Sequence, residues 1–166
     1  MPSEPSEKKT VRLSLETLED CRNFAKRLAG RIQSHGTSIL PLAIGLTGTL
    51  GAGKTQWTTF FSHALGAPSE STSSPTYVLI HRYDSEPVIY HVDAYRVQDE
   101  DEFLELGIEE LFESNGITIV EWADRFPNLM PDGTLWIRFE LDEFDPQRRW
   151  VSLDGAKLPM LTAGWL

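Results

Sequence analysis

The stretch "GLTGTLGAGKTQWTTFF", residues 45–61, decides the fold. Within it, Gly48-Thr-Leu-Gly-Ala-Gly53-Lys54-Thr55 satisfies the pattern G-x-x-x-x-G-K-[ST] without adjustment. Each position has a chemical reason. Glycines let the backbone curl until successive N–H groups point inward at phosphate oxygens. The helix that follows aims its N-terminus at the same charge. Lys54 reaches toward β- and γ-phosphates, and the Thr55 hydroxyl suits Mg²⁺. The expected nucleotide-binding residues are therefore Gly48, Leu50, Gly51, Ala52, Gly53, Lys54, Thr55 and Gln56. The context agrees with the motif. The apolar run "SILPLAIGL" (38–46) reads as a buried strand before it, and a helix runs from about Lys54 to Leu65 after it. Pro41 argues against a central position for the start of that strand.

A phosphate loop needs a carboxylate to organise metal and water, and a group that responds to the γ-phosphate. Two acids are candidates. Glu121 closes the apolar run "GITIVEW" (116–122), where ligands bind in open α/β sheets; the alternative is an ordinary strand-end glutamate. Asp93 ends a second strand within "YHVDAYR", among aromatic neighbours, and could instead be a turn cap. Both are read as catalytic and metal-organising candidates beside Lys54 and Thr55. Ser74, Pro75, Thr76 and Tyr77 lie in a loop after the phosphate-loop helix, where a mobile switch-like segment with a sensing hydroxyl is expected. Arg96 reads either as a phosphate contact or as a partner of the acidic run at 99–102. Arg148, in a rare basic pair, reads as a phosphate neighbour or a solvated strand residue. Trp122 reads as core, with stacking on a base as the alternative. His81 and His91 read as core or hairpin-face residues, since no Cys/His spacing suggests zinc. No Asn-Lys-x-Asp string of the guanine-reading kind is present, which favours ATP over GTP.

Further out, "VRLSL" (11–15) alternates like a short strand, and Thr17 with Asp20 three residues on marks a helix start. "TYVLIHRYD" (76–84) and "PVIYHVDAY" (87–95) form an expected hairpin, and "GTLWIRFEL" (133–141) with "RRWVSLDG" (148–155) a second. The acidic stretch 99–113 reads as helix in short pieces. The order β-α-β-α-loop-β-β-α-β-β-β predicts a three-layer α/β domain with a mixed, mainly parallel sheet plus antiparallel hairpins. Residues 1–9 are Pro/Ser-rich and polar and read as a flexible tail, with residues 10–166 as one domain. The apolar end "PMLTAGWL" either packs on the domain or meets a partner.

The chain has 166 residues, 40% of them hydrophobic, with five Trp and eight Phe. That suits a globular fold and argues against disorder. Net charge is −10, from 15 basic and 25 acidic residues. Such a balance disfavours broad non-specific binding to nucleic acid or to an anionic membrane. The one cysteine, Cys21, permits no internal disulfide. The first ten residues carry no signal-peptide h-region, and no stretch approaches the ~20 apolar residues of a membrane span. The expectation is a cytoplasmic protein with no membrane partner.

The phosphate loop, "SPTY" (74–77), "HVDAYR" (91–96) and "VEW" (120–122) together resemble the TsaE family, bacterial ATPases of tRNA threonylcarbamoyladenosine synthesis. The resemblance covers about residues 11–155. It implies a P-loop fold that binds ATP/ADP with Mg²⁺, hydrolyses ATP slowly alone, and works with the partner pair TsaB and TsaD. That complex modifies the adenosine beside the tRNA anticodon, TsaC supplying the threonylcarbamoyl-adenylate, so tRNA is met indirectly. By position the resemblance makes Lys54 a phosphate ligand, Thr55 a Mg²⁺ ligand, and Asp93 and Glu121 the metal- and water-organising acids, with Trp122 accompanying Glu121. Thr17 and Leu18 fall near the expected base site. The chain departs from the family pattern at Thr49, where Asp is usual, and at Cys21, where Thr is usual. A negatively charged protein is a poor tRNA binder by itself but suits a basic patch on another subunit.

Two other function classes compete. A small P-loop kinase of a nucleoside or metabolite would need an acceptor pocket and an arginine-rich lid, and no such arginine-rich stretch is present. A nucleotide-gated binding module would use the loop without productive hydrolysis.

Overall fold

The structure, a computed structural model, describes residues 10–69 and 79–165. The expected tail at 1–9 and the switch-like residues Ser74, Pro75, Thr76 and Tyr77 lie outside the described residues. The elements run β1 (Val11–Leu15), α1 (Leu18–His35), β2 (Leu42–Thr47), α2 (Lys54–Ala64), β3 (Ile80–Tyr83), β4 (Ile89–Asp93), α3 (Glu100–Glu105), α4 (Ile108–Glu113), β5 (Ile117–Glu121), β6 (Leu135–Leu141), β7 (Arg149–Asp154) and α5 (Leu158–Leu161).

Seven strands form one sheet in the order β1-β7-β6-β2-β5-β4-β3. The central strands β6, β2, β5 and β4 are mutually parallel. Both hairpins, and the β1–β7 pair, are antiparallel. The sheet is thus mixed, with its parallel part concentrated around the phosphate-loop strand. Every residue of β2 is buried, as expected of a parallel strand covered on both faces. Pro41 does not contradict that central position, because β2 begins one residue after it.

Helices α1, α2 and α5 cover one face over a core that includes Leu28, Ile32, Trp57 and Phe61. Helices α3 and α4 and two 3-10 turns, Ala123–Arg125 and Pro127–Leu129, cover the other, around Phe103, Ile108 and Phe126. Strand alternation sorts the side chains between these cores. In β5, Ile117 and Ile119 join the first core and Val120 the second, so Glu121 points to the α2 side. In β4, Ile89 joins the first core and Val92 the second, so His91 and Asp93 share the face of Ile89.

Helix α1 begins in a full capping box: the Asp20 amide donates to Thr17 Oγ1, and the Asp20 carboxylate accepts from the Thr17 amide at 2.8 Å. The Thr17 hydroxyl also donates to that carboxylate at 2.9 Å, and this bond first, then the one from the Thr17 amide, holds Asp20 below the usual carboxylate range. The apolar C-terminus packs on this helix. Trp165 stands edge-on to Phe24, centroids 6.1 Å apart, and Arg27 lies over its ring at 4.6 Å. Arg31 donates to the Met160 carbonyl at 2.8 Å. Trp165→Ala is expected to lower stability by about 3 kcal/mol, the scale of losing a large buried ring. Urea unfolding checks this, with an unchanged m-value marking a change in stability alone.

Candidate nucleotide and metal site

Strand β2 delivers the chain to Gly48, and α2 opens at Lys54. Gly48, Gly51 and Gly53 all have positive φ, 134°, 78° and 109°. Gly48 has a second constraint. A Cβ there would sit 2.3 Å from the Phe139 carbonyl oxygen of β6, so the loop can lie against the neighbouring strand only without a side chain.

Lys54 is 4% exposed, and its ammonium donates to the Gly48 and Thr49 carbonyls at 2.6 and 3.0 Å. Burial draws its pKa below the ordinary lysine value, while the charges of Glu121, Asp124 and Asp93 oppose that shift. The Trp122 ring covers the same ammonium at 4.0 Å. Trp122 holds a left-handed backbone, φ 61°, which no β-strand continuation would produce and which turns the indole back over the loop. Tyr95 packs on its outer side, ring centroids 4.9 Å apart. Gly45 of β2 makes room for the Trp136 ring and for Ala123, the residue after Trp122, since a Cβ there would meet them at 2.8 Å and 3.2 Å.

Thr55, the second residue of α2, donates from Oγ1 to Glu121 Oε2 at 3.0 Å. Glu121 is 2% exposed, and its other oxygen accepts from His91 Nε2 at 2.8 Å. Parallel pairing of β4 and β5 sets Asp93 directly beside Glu121. One Asp93 oxygen accepts from the Tyr95 amide at 3.0 Å, so Asp93 is also a turn cap. Lys54, Thr55, Asp93, Glu121 and Trp122 line one cleft of ≈ 340 Å³. The Thr55 hydroxyl and the two carboxylates are hard oxygen donors on one side of the loop. That chemistry fits Mg²⁺ and not a soft metal.

On the opposite side of the loop, a second cleft of ≈ 400 Å³ shares Gly51, Gly53 and Gln56 with the first. Its other walls include Thr17, Leu18, Cys21, Phe139 and Arg149. The two clefts make one groove over the N-terminus of α2. The acids stand at one end, and an apolar slot stands at the other, of a size and character suited to a base. Burial pushes the Cys21 thiol up to about 11.

Thus Lys54, Thr55, Asp93, Glu121 and Trp122 meet in one cleft, and Thr17 and Leu18 line the other. Trp122 is half-buried, packed against the second core while its ring lines the cleft. Arg148 pairs with Glu16 at 3.3 Å, tying the β6–β7 hairpin to the start of α1. Arg96 sits exposed in the turn after β4. Sequence reasoning placed His91 in the core or on a hairpin face, where it is, without giving it a part in the site, and passed over Gly45. His91 was legible from strand alternation, two residues from Asp93 and so on the same face. Gly45, whose missing side chain admits Trp136, had no sequence signal.

A phosphate loop between a buried parallel strand and a helix, with an acid ending the adjacent strand, defines the P-loop NTPase fold. A family model described as "Threonylcarbamoyl adenosine biosynthesis protein TsaE" matches residues 15–150; the chain belongs to the TsaE family. Relatives carry the name tRNA threonylcarbamoyladenosine biosynthesis protein TsaE. The one from Bacillus subtilis is 41% identical over 93 residues, 55% of this chain and 57% of that protein, so the match spans little more than half of that relative. The one from Treponema pallidum is 31% identical over 110 residues, 66% of this chain and 77% of its own. The one from Rickettsia bellii is 30% identical over 132 residues, 79% of this chain and 87% of its own. The crystal structure of Bacillus subtilis YdiB superposes with a TM-score of 0.72 at 25% identity, covering 95% of this chain and 94% of that one.

Gly48→Ala adds a methyl group against a backbone carbonyl at a disfavoured φ. It is expected to cost about 2 kcal/mol or more and to weaken ADP binding at least ~10-fold, read by thermal melting and by titration with ADP. Cys21, buried and with a raised pKa, is expected to react with iodoacetamide at pH 8 more than ~10-fold slower in the native protein than in urea, followed by mass spectrometry.

Proposed function

We propose that this protein binds and hydrolyses ATP with Mg²⁺ as a subunit required for the N6-threonylcarbamoyladenosine modification of tRNA, working with TsaB and TsaD in the cytoplasm. Family membership supports the pathway. The observation that carries the ATPase reading is the convergence of Lys54, Thr55, Glu121 and Asp93 at one end of the phosphate groove. Among the described residues, no helix is long and apolar enough to cross a membrane.

The polyphosphate lies along the loop amides and the α2 N-terminus, with the base toward Thr17 and Leu18. Lys54 exchanges its bonds to the Gly48 and Thr49 carbonyls for phosphate oxygens, and supplies charge where charge builds in the transition state. Thr55 and an acid hold Mg²⁺, which when bound neutralises charge on the β- and γ-phosphates. Glu121 keeps the Thr55 hydroxyl oriented through the bond it accepts at Oε2. Asp93 has one oxygen engaged by the Tyr95 amide and its other free to accept from a water that attacks the γ-phosphate in line. Trp122 shields this end from bulk water and so raises the effective strength of these charges. Partner subunits complete the site, and intrinsic hydrolysis is accordingly slow.

The test is multiple-turnover threonylcarbamoylation of tRNA with TsaB, TsaC, TsaD and ATP. The protein is added as wild type or as Lys54→Ala, or omitted. Wild type sustains turnover, and the variant behaves like the omission. Glu121→Ala separates hydrolysis from simple gating: loss of ATPase together with loss of multiple turnover supports the hydrolytic reading. Retained turnover would reduce the protein to a nucleotide-gated module. No stimulation by wild type would overturn the pathway assignment.

A further inference from the structure

We propose that His91 is a positioning residue for this site: it clamps the Glu121 carboxylate so that the second oxygen stays aimed at Thr55. The proposal rests on the ATPase reading above and goes beyond it by assigning a role to a buried histidine outside the phosphate loop.

His91 is 3% exposed and sits on the α2-facing side of β4, paired across the sheet with His81 of β3 and Ile119 of β5. A histidine placed there only for packing would present a ring to carbon atoms. Instead Nε2 lies 2.8 Å from Glu121 Oε1. The arrangement assigns Nε2 as donor to this carboxylate oxygen and leaves Nδ1 as an acceptor. Nδ1 is met by a donor, the Tyr83 hydroxyl, at 3.4 Å and at the long end of hydrogen-bond distance. Burial, and then the Glu121 charge, raise the Tyr83 pKa, which keeps that hydroxyl protonated. The rings of Tyr83 and His91 lie nearly parallel, 18° apart, which holds the imidazole plane.

The result is a directed chain. Tyr83 donates to His91, His91 donates to Glu121 Oε1, and Glu121 Oε2 accepts from Thr55. A carboxylate held at both oxygens has no freedom about its terminal torsion, which is otherwise broad. Thr55 Oγ1 then spends its proton on Glu121 and keeps its lone pairs turned toward the groove, where a hard cation would find them. The geometry parallels the outer-shell hydrogen bonds that orient ligands at metal sites, whose loss costs 10- to 100-fold in affinity or activity.

The test uses the full chain. His91→Phe keeps an aromatic ring but removes the donor; His91→Gln places an amide N–H near the position of Nε2. ATP hydrolysis is measured as kcat and KM, alongside the Mg²⁺ concentration that half-saturates its effect on ADP affinity. The ¹⁵N spectrum of the wild-type imidazole reports the tautomer with no turnover required. Expected are a proton on Nε2 with Nδ1 bare, a fall in kcat of ~10- to 100-fold in His91→Phe with KM for ATP within about threefold, a raised Mg²⁺ requirement, and recovery of most of both in His91→Gln. A folded His91→Phe with wild-type kcat and Mg²⁺ requirement would overturn the proposal, as would an Nδ1–H tautomer. If wild type hydrolyses no more ATP than Lys54→Ala, the ATPase reading fails by itself; the Mg²⁺ requirement and the tautomer then decide the role of His91.

Discussion

A carboxylate at the end of a central strand, almost sealed from water, constrains much of this molecule. An unpaired charge at the depth of Glu121 would cost several kcal/mol. Its partners come from elements far apart in sequence: Thr55 from the first turn of α2, His91 from β4, and the nearby Lys54 ammonium. The strand register is bound to the chemistry for the same reason. Slipping β4 by one residue would turn His91 and Asp93 to the opposite face. Glu121 would then keep its burial and lose both neighbours.

The groove has a sense of direction, and packing imposes it. At one end the capping box of α1, the Glu16–Arg148 pair and the pressed contact between Gly48 and the Phe139 carbonyl hold a slot with much apolar surface. The hairpin beside it is stiffened by Asp142, which accepts from the Phe144 and Asp145 amides and from the Trp150 indole. At the other end Trp122 doubles back in a left-handed conformation that a bulky residue adopts only when its surroundings enforce it. The second core, the Tyr95 ring and the Lys54 ammonium surround it there. Strain of this kind sits where a side chain must be aimed, and here the indole is aimed at the Lys54 ammonium.

Much of this was legible in the sequence because it is local. The phosphate loop, both hairpins and the Thr17–Asp20 cap depend on residues within a few positions of one another, and the structure forms each of them. The position of Glu121 followed from an apolar run ending in an acid. What escaped was non-local. Trp122 does pack against the second core, as a tryptophan after a buried strand usually does, but its left-handed turn over the Lys54 ammonium, a group far away in sequence, left no local signal. His91 looked like packing because neither Tyr83 nor Glu121 is a sequence neighbour. The C-terminal segment could have faced a partner; its docking on α1 depends on Arg27 and Arg31, which no periodicity singles out for that purpose.

The charges around the loop also bear on the proposed use of a metal. One buried ammonium, Lys54, is set among Glu121, Asp93 and Asp124. Asp124 is exposed and largely screened, but Glu121 and Asp93 are not. The phosphate-binding end is therefore close to neutral or negative before any polyphosphate enters, and the loop amides offer only partial charges. A tetra-anionic nucleotide would be poorly held on those terms. A divalent cation among hard oxygen donors reverses the balance, because it attracts the same carboxylates that repel the phosphates. The neutral Thr49, where relatives are expected to carry an acid, moves the balance in the same favourable direction. Under the proposed function, the carboxylates that would draw in a metal-bound nucleotide are thus the ones that would exclude a bare one.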